Sequence, residues 1–180
     1  MKNAKIYRTV IETNRLLFRY FELTDLDALA IIYSDPKVRQ YFPEGVLTHE
    51  QTQEEIEWFL KGHPEHPELG LWAIIYKPTN QLIGRCGLLP WTLDGCFEVE
   101  VAYLLAQEYW GQGLGIEAAQ AVMNYGFDQR QLSRLICLIA HENKASIRVA
   151  EKMGMTFERK GIEDGTPFLL YAKQAPVFNV

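Results

Sequence analysis

Shortages in the 180-residue chain narrow what it can be. It has three cysteines, Cys86, Cys96 and Cys137, an odd and widely spaced set with no Cys-x-x-Cys pair. That argues against a disulfide framework and against zinc, and predicts small core or strand residues; no metal is expected. No apolar run approaches the roughly 18–20 residues of a membrane-spanning helix. The N-terminus, Met1-Lys2-Asn3-Ala4-Lys5-Ile6-Tyr7-Arg8, has no apolar signal core, so a cytoplasmic protein with no membrane partner is expected. Positive charge is not in excess: the formal net charge is −5, which gives nucleic-acid coating no electrostatic support. It is compatible with a cationic substrate. Repeats, low-complexity tracts and linkers are absent, so one continuous domain is read. At 48% hydrophobic and 23% charged, the chain suits a single core.

What is present is a mixed pattern of helices and strands. Arg15–Arg19 reads as an early strand. Thr24 opens a helix to about Tyr33, with Asp27 at the capping-box position, and Asp35-Pro36 breaks it. Thr48, with Gln51 three residues on, opens a second helix to about Lys61. Strands are expected over Leu71–Tyr76, Gln81–Leu89 and Phe97–Leu105, joined by turns at Pro78-Thr79-Asn80 and Asp94-Gly95. A helix to about Asp128 follows, then a strand over Arg134–Ala140. A helix over Lys144–Met153 ends at Gly154, and Thr156–Gly161 and Pro167–Lys173 form a closing hairpin. The class is α/β with a mixed sheet, neither strictly alternating nor segregated.

The most specific stretch is Tyr109-Trp110-Gly111-Gln112-Gly113-Leu114-Gly115-Ile116-Glu117-Ala118-Ala119. Three glycines at alternate positions run into a helix start, where free N–H groups and the positive end of the dipole favour an anion such as a phosphate. An ordinary tight turn before a helix is the bland alternative. The P-loop pattern is not met, because Gly115-Ile116-Glu117 lacks the required lysine and hydroxyl. The dinucleotide fingerprint is a closer rival: Gly113, Gly115 and Ala118 satisfy G-x-G-x-x-A, and Glu142 ends the next strand. Against it, the glycines lie several residues past the preceding strand, and there is no room for a second mononucleotide half.

Four blocks in order resemble the Gcn5-related N-acetyltransferase (GNAT) superfamily, and within it the ribosomal-protein N-terminal acetyltransferase branch. They are Glu12–Arg19, Glu100–Leu105, Tyr109–Ala119, and Asn143–Ser146 continuing through Glu151–Met155. The resemblance implies a single domain over residues 6–174. It also implies a twisted, mostly antiparallel sheet splayed between its fourth and fifth strands, Phe97–Leu105 and Arg134–Ala140, with about four flanking helices. Acetyl-coenzyme A would be the co-substrate. Its pyrophosphate would sit on the loop and helix start formed by Trp110, Gly111, Gln112, Gly113, Leu114, Gly115 and Ile116. Its pantetheine arm would pair with the backbone of Tyr103, Leu104 and Leu105 and be held by Asn143. Trp110 stands where the superfamily usually has Arg or Gln, as in the ribosomal branch. Homodimers are common among relatives.

Acyl transfer from a thioester to an amine needs the amine deprotonated, the carbonyl oxygen stabilised and the thiolate accommodated. Glu98 and Glu100 are spaced by two and point to one strand face, so periodicity does not choose between them. The resemblance favours Glu100 as general base, acting through water. The superfamily's tyrosine acid is absent, since its position is Ala150. Ser146 matches a serine near the thiol in the ribosomal branch, and Asn143 also reads as an N-cap. Cys137 as an acyl carrier is disfavoured by its apolar strand. His63 and His66 read as a solvated loop, and His141 as a strand-end residue. Trp58, Trp72 and Trp91 could wall an acceptor pocket, with Trp72 read as core, and Tyr41-Phe42-Pro43 falls where the family shapes that pocket. The expected reaction is direct acetylation of a primary amine, with a protein or peptide N-terminal α-amine as first choice. The alternatives are a small amine such as an aminoglycoside or polyamine, and a non-catalytic acyl-coenzyme A sensor.

Overall fold

The computed structural model describes residues 8–176, so the expected domain start at residue 6 lies outside the described residues. Eight strands form one sheet: β1 (Thr9–Glu12), β2 (Leu16–Arg19), β3 (Gly70–Tyr76), β4 (Gln81–Leu93), β5 (Cys96–Leu105), β6 (Arg134–Ile139), β7 (Thr156–Glu163) and β8 (Thr166–Gln174). Five helices accompany it: α1 (Leu26–Tyr33), α2 (Pro36–Arg39), α3 (His49–Lys61), α4 (Leu114–Asp128) and α5 (Lys144–Lys152). The sheet order is β1-β2-β3-β4-β5-β6-β8-β7, antiparallel everywhere except between β5 and β6. That parallel pair needs a crossover, which α4 supplies.

Two apolar layers hold the sheet. On one face Leu88, Val99, Val101 and Leu105 pack with Leu114, Ala118 and Val122 of α4 and Ala150 of α5. On the other, Leu104 and Ala73 pack with Leu29, Ile32 and Tyr33 of α1 and Ile56 of α3. Val99, Val101 and Leu105 on one side and Leu104 on the other follow from the period-two alternation of β5.

Several element starts follow local chemistry. Thr48 caps α3 as expected: its Oγ1 accepts from the Gln51 N–H (3.2 Å), and the Gln51 Oε1 accepts from the Thr48 N–H (2.9 Å). At α1 the expected Thr24 and Asp27 pair gives way to Asp25, whose carboxylate accepts from the Glu22 N–H (2.8 Å) and from the buried Arg19 guanidinium. The capping box is shifted upstream to Glu22 and Asp25, around a 3-10 turn (Leu23–Asp25) that leads into α1, and Arg19 of β2 holds its Asp25 carboxylate. Pro36 does not simply break α1; with Asp35 as cap it starts the single turn of α2. The β4–β5 turn has Asp94 and Gly95 both at positive φ (51° and 78°), as a two-residue hairpin turn requires. That tight turn lets β4 and β5 extend past the expected ends.

Candidate active site

The β5–β6 pair parts almost as soon as it forms. Its single register pair is Glu100 with Ile136. Beyond it, side chains occupy positions that backbone groups would take in a continuous sheet. The Leu138 N–H donates to Glu100 Oε1 (3.3 Å), and the Cys137 thiol donates to the Val101 carbonyl (3.3 Å). The expected splay is therefore present, and Glu100 stands at its apex. Because the Val101 carbonyl faces β6, the two-residue alternation puts the backbone groups of Tyr103 on the same open edge.

A cleft of about 430 Å³ opens there. Its walls are the end of β5, the glycine loop, the start of α4, the first turns of α5, and Tyr41 and Phe42 after α2. Gly111 and Gly113 have φ of 74° and 77°, a conformation glycine adopts without the penalty a Cβ brings. A Cβ at Gly111 would meet nothing within 4 Å, so the demand there is conformational and not steric. Gly113 caps α4 without a side-chain bond, leaving the first-turn N–H groups for an anion. The loop is tied down from the residue before β2: Arg15 donates to the Gln112 carbonyl (3.0 Å) and pairs with Glu117 of α4 (2.7 Å). The Trp110 indole donates to the Leu105 carbonyl (2.8 Å), fixing the loop to the end of β5. In a chain of net charge −5, this cleft is lined by Lys37, Arg148 and Lys152 and by no carboxylate. Its polarity suits a phosphate-bearing ligand.

Of the residues expected from sequence, Tyr103, Leu104, Leu105, Trp110, Gly111, Gly113, Gly115, Ile116, Asn143 and Ser146 line the cleft. Glu100, the expected base, lies outside that lining, as do Gln112 and Leu114. The Gln112 side chain folds back onto the Glu108 carbonyl, and Leu114 is fully buried in the core, so only their backbone could serve a ligand. Asn143 caps α5, its Oδ1 accepting from the Ser146 N–H (3.1 Å). Ala150 is buried against the sheet at the position where the superfamily has its tyrosine.

The two carboxylates of β5 separate by environment. Glu98 pairs with Arg134 (3.0 Å), which also holds Glu158. Among the described residues Glu100 has no ion-pair partner of that kind. Its Oε2 accepts from the Trp91 indole (2.8 Å) and its Oε1 from Leu138. Burial pushes the Glu100 carboxyl above its ordinary range, opposed in part by those two hydrogen bonds and by the Arg85 charge. Cys137 is buried with its thiol pushed well above the usual value, as suits an inert core residue.

The other candidates fall into place by packing. Trp72 is core, edge-on to Tyr125. Trp58 lines a second cavity, beside α3. His66 stacks on Phe97, and the His63 Nδ1 accepts from the Glu65 and His66 N–H groups, so both organise their loop. Among the described residues no cluster of His, Cys, Asp or Glu could hold a metal ion. Sequence reasoning missed Arg85 and Glu55, which line the α3-side cavity, and the three cations of the cleft. Arg85 did leave a trace: a lone charge within the apolar run Leu82-Ile83-Gly84-Arg85-Cys86-Gly87-Leu88.

The family model for the acetyltransferase (GNAT) domain matches residues 15–156. The chain belongs to the GNAT acetyltransferase family. As a GNAT protein it is an N-acetyltransferase with a single-domain α/β fold. It is 33% identical over 174 residues to the uncharacterized protein YkkB of Bacillus subtilis (strain 168), covering 96% of this chain and 98% of YkkB. The crystal structure of a GNAT-family acetyltransferase from Bacillus anthracis matches with a TM-score of 0.77 and 30% identity, over 91% of this chain and 97% of that one. RimL, a ribosomal L7/L12 alpha-N-protein acetyltransferase in complex with coenzyme A, shares the fold: TM-score 0.75, 18% identity, 93% of this chain and 98% of that one.

Proposed function

We propose that this GNAT protein moves an acetyl group from acetyl-coenzyme A directly to a primary amine. The acceptor is a protein or peptide N-terminal α-amine, and the catalytic domain spans residues 6–174. The observation that carries the reading is the parting of β5 and β6 just past Glu100, beside a cleft lined by Lys37, Arg148 and Lys152.

Acetyl-coenzyme A supplies an activated thioester. The α4 N-terminus and the loop of Gly111 to Gly115 seat its phosphates, with Lys37, Arg148 and Lys152 adding charge. The edge of β5 at Tyr103 offers backbone groups to the pantetheine arm, and Asn143 closes that side. Glu100 takes the amine proton through water. An α-amine titrates near ~8, against ~10 for an alkyl amine, so it asks less of a carboxylate base. Ser146 offers a hydrogen bond to the departing thiolate, a good leaving group at pKa near ~8.5 that has less need of a strong acid such as the missing tyrosine.

One observation favours a small cationic amine as a second reading: the α3-side cavity is lined by Glu44, Glu54 and Glu55. Thiol release from acetyl-coenzyme A, followed across peptides, aminoglycosides and polyamines, decides between them. Turnover with peptides supports the α-amine reading. Turnover confined to polycations replaces it, and coenzyme binding with no turnover on any amine leaves a sensor.

A further inference from the structure

We propose that Tyr103 is the proton donor to the departing coenzyme thiolate, its phenol delivered from β5 into the gap between that strand and α5. This rests on the direct-transfer reading above and adds to it a second catalytic group, on the side of the sheet away from Glu100.

Strand β5 puts the two groups on opposite faces. Glu100 and Tyr103 are three residues apart, so the period-two alternation turns them to opposite sides. Glu100 is on the Trp91 side, its Oε2 held by that indole. Tyr103 packs on the α4 and α5 side, against the layer that holds Val101, Cys137 and Ala150. On the direct-transfer reading the pantetheine arm lies along the open edge of β5 at Tyr103. The Cys137–Val101 contact closes the gap two residues further in, so the thioester stops between the two positions. One proton is then removed on one side of the sheet and another supplied on the other.

Among the described residues the cleft lining has four hydroxyls, those of Tyr41, Tyr103, Tyr109 and Ser146. Tyr41 is exposed and donates to the Glu142 carbonyl (3.3 Å). Tyr109 lies past the end of β5 and donates to the Gln81 Oε1 (3.1 Å) in an exposed bond. Ser146 is close by, but an alkyl hydroxyl is a far weaker acid than a phenol, whose pKa is about 10. The Tyr103 hydroxyl crosses to α5 and donates to the Ser146 carbonyl at 3.4 Å. That is long for an O–H···O bond, whose usual span ends at about 3.0 Å. The same carbonyl is the natural acceptor for the Ala150 N–H in the helical ladder of α5. The phenol is therefore placed in the gap by a bond it can give up at little cost. Burial raises its pKa, so it is protonated when the thiolate forms.

As the tetrahedral adduct collapses, the C–S bond breaks, the electron pair stays on sulfur, and sulfur takes the Tyr103 proton. The amine proton held by Glu100 passes to water, and water restores the phenol. One amine and one thioester become one amide and one thiol.

The test is Tyr103→Phe, assayed with acetyl-coenzyme A and with its analogue carrying selenium in place of sulfur, using the amine that the wild type turns over fastest. A selenol is the stronger acid, and its anion leaves with less need of a proton. With the thioester, kcat should fall by roughly a hundredfold, the low end for a general acid because thiolate already leaves well. With the selenoester the fall should be under about threefold. Calorimetric titration with coenzyme A should give a Kd within about twofold of the wild type, because the ring that lines the cleft is kept. Tyr103→3,5-difluorotyrosine, nearly isosteric and still a phenol, should hold thioester turnover within about threefold of the wild type. Ser146→Ala keeps the carbonyl that Tyr103 meets, and its loss should be smaller than that of Tyr103→Phe. Equal losses for the two donors, a thioester kcat within twofold of the wild type in Tyr103→Phe, or a difluorotyrosine variant as impaired as Phe, overturns the proposal and leaves direct transfer standing. No turnover by the wild type with any amine overturns direct transfer itself, and this proposal with it.

Discussion

The Glu100 carboxylate accepts a hydrogen bond from the backbone N–H of Leu138, and this bond bridges β5 and β6 where their pairing ends. A side chain here does what a main-chain carbonyl would do in an uninterrupted parallel ladder. One residue thereby satisfies an edge N–H and holds a carboxylate between the two strands where they part. Trp91, reaching from β4, fixes the other oxygen.

Glu100→Gln is nearly isosteric but cannot take a proton. Thiol-release kcat should fall by roughly 10²–10⁴. In the wild type, kcat/KM should rise with pH through the Glu100 pKa, because the base must be ionised. Burial raises that pKa, so this limb lies above the ordinary carboxylate value of ~4.3 and should vanish in the variant. The same shift has a stability consequence. A folded carboxyl that binds its proton more tightly than the unfolded one loses stability as pH rises through the window between its two pKa values, and the variant removes that slope. Activity within about twofold of wild type would remove Glu100 from the mechanism.

Much of this was legible in the chain. The Thr48 capping box, the Asp94-Gly95 turn and the Gly154 helix stop are local signals, and local chemistry settles them in the fold too. The α1 start was misread because its cap, Asp25, is chosen by Arg19 across a tertiary contact. Strand β1 was overlooked because four residues pairing only with β2 carry no periodic signal. In the site, glycine spacing marked the loop because its requirement is conformational. Glu98 and Glu100 were indistinguishable by period, and only the long-range neighbours Arg134 and Leu138 separate them. Arg85 and Glu55 come from separate elements, β4 and α3, so no spacing could bring them together.

Glu117 holds the glycine loop through Arg15. Burial works against its charge, but hydrogen bonds from Thr13 and Arg15 prevail and hold its carboxyl below the usual range. A depressed carboxylate pKa means the clamp is complete above the unfolded value of ~4.3 and is lost as pH falls through the folded one. Glu117→Gln should therefore raise KM for acetyl-coenzyme A several-fold near neutral pH, with kcat moving less. An unchanged KM would mean that Arg15 does not position the loop.

Arg148 is exposed on α5 and faces the cleft. Arg148→Glu should raise KM for acetyl-coenzyme A by about fivefold in dilute buffer, and the difference should shrink near ~0.5 M salt, where exposed charges are screened within a few ångströms. A salt-independent defect would point to lost packing instead of lost attraction.

Arg19 and Asp25 are 5% and 7% exposed and meet in a two-pronged pair at 2.6 and 2.7 Å. Asp25 also accepts from the Glu22 N–H where α1 begins. Asp25→Ala strands a buried guanidinium and should cost about 3–5 kcal/mol in urea unfolding. The double variant Arg19→Met with Asp25→Leu removes both charges and should recover most of that loss, since desolvation then no longer opposes folding. A single variant costing under about 1 kcal/mol would show that the pair is already compensated by solvent.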